Sequence, residues 1–165
     1  MTDVGISCND GNFKARACGV IIKDGKVLLE KSRRFDGYVF IGGHLHLGEN
    51  SRDCVLRETK EEIGVDCQID KLICINENIF ESESLHKVCQ EISYYYQLTP
   101  LDNIPDEDFE RFEIDNGREI THYYSWVDIA NYKDYNIRPN WVMEMILTNT
   151  ENRLYLSDQV KKVYM

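Results

Sequence analysis

Residues 42–65, Gly-Gly-His-Leu-His-Leu-Gly-Glu-Asn-Ser-Arg-Asp-Cys-Val-Leu-Arg-Glu-Thr-Lys-Glu-Glu-Ile-Gly-Val, leave the chain few ways to fold. A glycine-rich loop runs directly into a segment that carries signals for both ends of a helix. Asn50 or Ser51 can accept the unpaired amide hydrogens of a first turn, and Asp53 suits the positive end of the helix dipole. Gly64 stands where a helix stops in a left-handed residue. Between them Val55, Leu56, Thr59 and Ile63 recur at helical spacing and need a core to pack against.

Beside that apolar stripe, Glu58, Glu61 and Glu62 stand in the i, i+3, i+4 relation, so their carboxylates rise from one side of the helix within reach of a common point. Like charges so spaced repel, and a divalent cation turns the repulsion into ligation. Oxygen ligands suit a hard ion, Mg2+ or Mn2+, which keeps water or substrate oxygens on its other positions. Arg57 lies four residues from both Asp53 and Glu61 and can hold carboxylates in place. Glu49 can turn back from the loop and add one more. Taken alone, Arg-Glu-Thr-Lys-Glu-Glu also suits a solvated helix face.

The whole spacing decides between these readings. Gly43, five residues, Glu49, seven residues, Arg57-Glu58, two residues, Glu61-Glu62, one residue, Gly64 and an apolar Val65 resembles the Nudix hydrolases at every charged and glycine position. Two neighbours depart from the usual pattern: Thr59 replaces an aliphatic residue, and Ile41 replaces a proline before the double glycine. The resemblance implies an α/β fold, an α/β/α sandwich with a mixed β-sheet, and Mg2+-dependent (or Mn2+-dependent) hydrolysis of a pyrophosphate linkage. The small-molecule substrate is then a nucleoside diphosphate linked to another moiety. Residue by residue, it implies Glu58, Glu61 and Glu62 as metal ligands, with a main-chain carbonyl from Gly42 or Gly43. Glu58, Glu61 and Arg57 become the catalytic group, with Arg57 and Glu49 as the orienting shell. The ADP-ribose subgroup tends to carry a proline shortly after this motif, whereas here the next are Pro100 and Pro105.

The rest of the chain frames this segment. At 165 residues it reads as one domain over 15–165 with a polar lead-in at 1–14. A net charge of −10 argues against nucleic acid as a partner, because counterion release needs clustered Lys and Arg. There is neither an export signal nor a membrane-spanning apolar run, so a cytoplasmic location away from membranes is expected. The six cysteines are irregularly spaced and read as reduced thiols. Nothing in the sequence speaks against a homodimer.

Lys23-Asp24-Gly25-Lys26 marks a hairpin between apolar runs at 15–22 and 27–30. The second run delivers Lys31, Arg33 and Arg34 directly upstream of the glycine loop, and Arg33 and Arg34 are expected to hold substrate phosphate. His46 occupies a place where Nudix relatives often carry an acid and is a substrate-contact candidate, as is Glu49. Residues 67–80 and 86–98 read as strands, with Glu91 a candidate support for the metal. Residues 99–108 read as a mobile acidic loop. Asn116-Gly117 marks a second hairpin, whose returning arm places Ile120, His122, Tyr124 and Trp126 on one face. Pro139 is expected to open a last amphipathic helix, with a further strand near 154–156. Two readings from other classes compete: a nucleotide-binding sensor that keeps the fold with little catalysis, and an acidic interaction domain without a metal site.

Overall fold

The computed structural model describes residues 2–82, 87–115, 118–149 and 153–156. One strand, β2 (Gly11–Lys23), carries the architecture. It pairs antiparallel with β1 (Gly5–Ser7) at its start, β3 (Lys26–Lys31) at its end and β5 (Ile41–His44) in its middle. Along its other edge it runs parallel to β7 (Lys87–Pro100), from Gly11 opposite Val88 to Ile21 opposite Leu98. Further out, β6 (Cys67–Ser82) pairs with β7, β9 (Arg118–Asp128) with β3, and β8 (Phe109–Asp115) with β9, all antiparallel. The short strands β4 (Tyr38–Val39) and β10 (Ile137–Arg138) pair in parallel, and so do β11 (Arg153–Leu156) and β6. Among the described residues this is one mixed sheet of eleven strands.

Strand alternation sends neighbouring residues of β2 to opposite faces, and both faces are covered. Ala17 and Ile21 meet Cys54, Val55 and Ile63 of the first helix, α1 (Ser51–Ile63). Cys18 and Val20 lie in a second core with Val142, Met143 and Met145 of α2 (Trp141–Leu147). Helix, sheet and helix thus form three layers, the expected α/β/α sandwich.

The local signals are realised where they were read. Asp24 and Gly25, with φ of 50° and 73°, make the left-handed pair that a two-residue hairpin turn requires. Asn50, rather than Ser51, caps α1, its Oδ1 accepting from the amides of Arg52 and Asp53 at 3.0 Å each. Gly64 ends it at φ 75°, its N–H donating to the Lys60 carbonyl. Thr59 packs fully buried as expected, its hydroxyl donating to the Val55 carbonyl at 2.7 Å.

Three expectations need correction. Thr99 and Pro100 belong to β7, held opposite Gln68 and Cys67 in the long pairing with β6. The acidic loop after them is tied down instead of loose: Ile104 is buried, Asp108 accepts from the Trp126 amide, and the Trp126 indole donates to the Pro105 carbonyl. Pro139 does not open α2, because Ile137–Arg138 is still extended against Tyr38–Val39 and the helix begins only at Trp141. The Asn116-Gly117 turn lies outside the described residues, although the two arms on either side pair as the signal predicts. All six cysteines are free thiols and all but Cys8 are buried. No helix among the described residues is long and apolar enough to cross a membrane.

Candidate active site

The glycine loop and α1 meet through close backbone approach. Gly42 has φ 140° and sits so near β2 that a Cβ there would fall 2.2 Å from the Ala17 carbonyl oxygen. At Gly43 the obstacle is the site itself, since a Cβ would fall 2.3 Å from the Glu58 carboxyl carbon. The missing side chain is the space the carboxylate occupies.

Arg57 is the hub. Its Nε donates to Glu49 Oε1 at 2.8 Å and its Nη2 to Glu49 Oε2 at 2.9 Å, a two-pronged pair. Its Nη1 reaches Glu58 at 2.7 Å and Glu61 at 2.9 Å, and Nη2 also donates to the His44 carbonyl at 3.1 Å. The hydrogen bonds from Arg57 hold Glu49 down at about 2, while the acids raise Arg57 above its ordinary value. Glu62 turns the other way, accepting from the Gly42 amide at 3.1 Å. Burial pushes Glu62 well up, and the nearby Glu30 and Glu58 push it further. Burial also raises Glu58, against the pull of Arg57.

Three further residues join from the sheet. Arg16 Nη2 donates to the Gly42 carbonyl at 2.8 Å, and its Nη1 lies 3.9 Å from Glu91. Glu30 on β3 accepts from or donates to His122 Nδ1 at 2.7 Å. Tyr124 sends its hydroxyl to the Glu62 carbonyl at 3.3 Å. Tyr124 also borders a cleft of about 730 Å³ lined by Lys31, Arg33, Tyr38, Asp108 and Tyr123.

A match to the family model of the NUDIX domain spans residues 13–145. The chain belongs to the Nudix family. Among solved structures the fold is similar to a MutT protein from Bacillus halodurans (16% identity, TM-score 0.64, covering 88% of this chain and 92% of that one). It is also similar to a NUDIX hydrolase from Nitrosomonas europaea (22%, 0.56, 84% and 91%) and to an ADP-ribose pyrophosphatase from Streptococcus suis (15%, 0.53, 87% and 98%). Family membership makes this chain's glycine loop and α1 its Nudix box, and supports a hydrolase acting on small nucleotide substrates.

The Nudix box residues do not all meet at one point. Among the described residues no three Asp, Glu, His or Cys side chains converge at metal-ligand spacing. The reason is the Arg57 guanidinium, which gathers Glu49, Glu58 and Glu61, while Glu62 faces the Gly42 amide. The donor set still suits a hard cation. The buried Glu62 accepts from the Gly42 amide, Glu58 and Glu30 repel it, and the Gly42 carbonyl has a lone pair beyond the one Arg16 takes.

Of the residues read as substrate contacts, Arg33 lines the cleft, whereas Arg34 is exposed and outside its lining. Glu49 is fully engaged by Arg57 and by the His46 amide, which donates to it at 3.0 Å. The His46 ring sits between Asp3 at 3.5 Å and Glu49 at 3.9 Å. Arg16 and Glu30 escaped the sequence reading. Their one signal is a charge interrupting an apolar strand, Arg16 between Ala15 and Ala17, and Glu30 after Val27-Leu28-Leu29.

Proposed function

We propose that this Nudix protein hydrolyses a pyrophosphate linkage in a nucleoside diphosphate linked to another moiety, using a divalent cation, Mg2+ or Mn2+. The observation that carries the reading is the Arg57 fork: one guanidinium ties Glu49, Glu58 and Glu61 into a shell beside the buried Glu62. A surface helix has no use for such an arrangement, because exposed ion pairs contribute little and burying Glu62 costs stability.

Glu58, Glu61 and Glu62, with the Gly42 carbonyl, are the residues that would hold the ion. When bound, such an ion neutralises phosphate charge and lowers the pKa of a coordinated water. The chain's own groups do the rest. Arg57 aims Glu58 and Glu61 through its hydrogen bonds, and Glu58, raised by burial, is suited to orient the attacking water or take its proton. Lys31 and Arg33, on the wall of the cleft, provide positive charge for the diphosphate, and Tyr38 and Tyr123 offer rings on which a base can stack.

The test is Mg2+-dependent release of phosphate or pyrophosphate across nucleoside triphosphates, ADP-ribose, dinucleoside polyphosphates, sugar nucleotides and coenzyme A. Turnover of one substrate class that collapses in Glu61→Gln supports the reading. If no compound turns over while nucleotides still raise the melting temperature, the protein is a nucleotide-binding sensor.

A further inference from the structure

We propose that residues 2–4 brace this active site, with Asp3 as a positioning residue that acts through His46 and the glycine loop on Arg57. The inference rests on the hydrolase reading and extends it to residues that lie before the 13–145 match to the family model.

The loop between β5 and α1 has little of its own to hold its tip. Gly48 takes φ 88° with open space where a Cβ would stand, and Leu47 is 78% exposed, so apolar burial does not pin it. Yet this stretch supplies both loop-side anchors of Arg57. At one end the His44 carbonyl accepts from Nη2 at 3.1 Å, and at the other the Glu49 carboxylate takes the fork. A shift of either end moves the guanidinium, and with it the bonds to Glu58 and Glu61.

Residues 2–4 grip the loop between those two anchors. Covering the edge of β2 is the work of Gly5–Ser7, and the residues before them run onto the loop. The Val4 amide donates to the Leu45 carbonyl at 2.6 Å, the Leu47 amide donates to the Thr2 carbonyl at 2.8 Å, and Asp3 bridges antiparallel to His46. Ala15 of β2 locks the crossing, its amide donating to the Val4 carbonyl and its carbonyl accepting from the Leu45 amide. The Asp3 carboxylate stands between two rings, 3.4 Å from His44 Nδ1 and 3.5 Å from His46 Nε2. His46 Nδ1 is buried with no hydrogen-bond partner among the described residues and lies 3.9 Å from Glu49, which leaves Asp3 as the ring's nearer charge. The His46 amide in turn donates to Glu49 Oε2 at 3.0 Å, the same oxygen that accepts from Arg57 Nη2. A hold on His46 is therefore a hold on the Arg57 fork.

The experiment pairs NMR of the Arg57 Nε–H group in the intact protein with hydrolysis kinetics, for the wild type, Val4→Pro, Asp3→Ala and Asp3→Asn. Arg57→Lys, which lacks the group, assigns the signal. Val4→Pro deletes the donor to Leu45 and keeps the carbonyl that Ala15 uses. It is expected to shift the Arg57 signal and speed its exchange with solvent about tenfold. It should also lower kcat about tenfold with KM unchanged, because the cleft wall of Lys31, Arg33 and Tyr123 lies away from the brace. Asp3→Ala moves signal and kcat in the same direction by less, and Asp3→Asn, which keeps an acceptor oxygen, recovers part of the loss. An Arg57 signal identical to wild type in Val4→Pro and Asp3→Ala, or a moved signal with wild-type kcat, overturns the inference and leaves the hydrolase reading intact. If the signal moves and the wild type turns over no substrate, the hydrolase reading falls while the brace on Arg57 stands. Should Val4→Pro fail to fold, Asp3→Ala, at an exposed position, decides by the same outcomes.

Discussion

Arg57 grips Glu49 with two parallel hydrogen bonds, at 2.8 and 2.9 Å, and so fastens the glycine loop to the middle of the helix it precedes. Lysine has the charge but not the fork. Arg57→Lys is therefore expected to lower stability by about 1–3 kcal/mol, since hydrogen bonds to charged groups are lost from a half-closed site. Chemical denaturation checks this, and hydrolysis should fall further than stability because Glu58 and Glu61 lose their aim.

The same pair sets an acid limit. Glu49 is held at about 2 in the folded protein against an ordinary 4.5, so the folded state binds its proton less readily than the unfolded chain. The stabilisation from this lowered value is complete above 4.5 and is lost as pH falls from there through about 2. Melting temperatures of wild type and Glu49→Gln should converge over that window. A constant gap between them down to pH 2 contradicts the assignment.

Glu62 has the opposite sign. Its folded value is raised, so the stability it contributes is present below 4.5 and is lost as pH rises through the folded value, where a buried carboxylate must ionise. Glu62→Gln keeps an oxygen for the Gly42 amide and removes the charge. In chelator at neutral pH the variant should melt higher than wild type, while losing hydrolysis and the response to Mg2+.

Gly43→Ala tests the space occupied by Glu58. The added Cβ would meet the carboxyl carbon at 2.3 Å, so Glu58 must leave. The variant should stay folded by circular dichroism while its turnover drops about a hundredfold, the scale on which small misplacements act.

Asn50→Ala separates helix integrity from chemistry. Two amide hydrogens lose their acceptor, which is expected to cost about 1 kcal/mol of unfolding free energy. Urea unfolding at fixed Mg2+ measures it, and substrate affinity should change little.

What could be read from the sequence was local. The Asn50 cap, the Gly64 stop, the Asp24-Gly25 turn and the buried face through Val55, Thr59 and Ile63 depend on residues a few positions apart, and all appear where expected. Spacing along one helix could not reveal that Arg57 would turn to Glu49 in the loop as well as to Glu58 and Glu61. Arg16 beside Gly42 and Glu30 beside His122 depend on how β2 meets β5 and β3 meets β9, and no short-range pattern encodes those registers. Pro139 stands outside α2 for the same reason, because a distant strand, β4, keeps its predecessor extended.

The parallel pairing of β2 with β7 also orders events in time. Gly11 must find Val88, so the Nudix box and all of β6 lie inside the loop this pairing closes. Contacts that distant form slowly, and during synthesis they cannot form until β7 has emerged. Until then Gly42 and Gly43 on β5 lie against a β2 that has only its antiparallel partners β1, β3 and β5 and lacks the long edge that β7 provides. The acidic helix is thus made before the strand that completes the sheet beneath it.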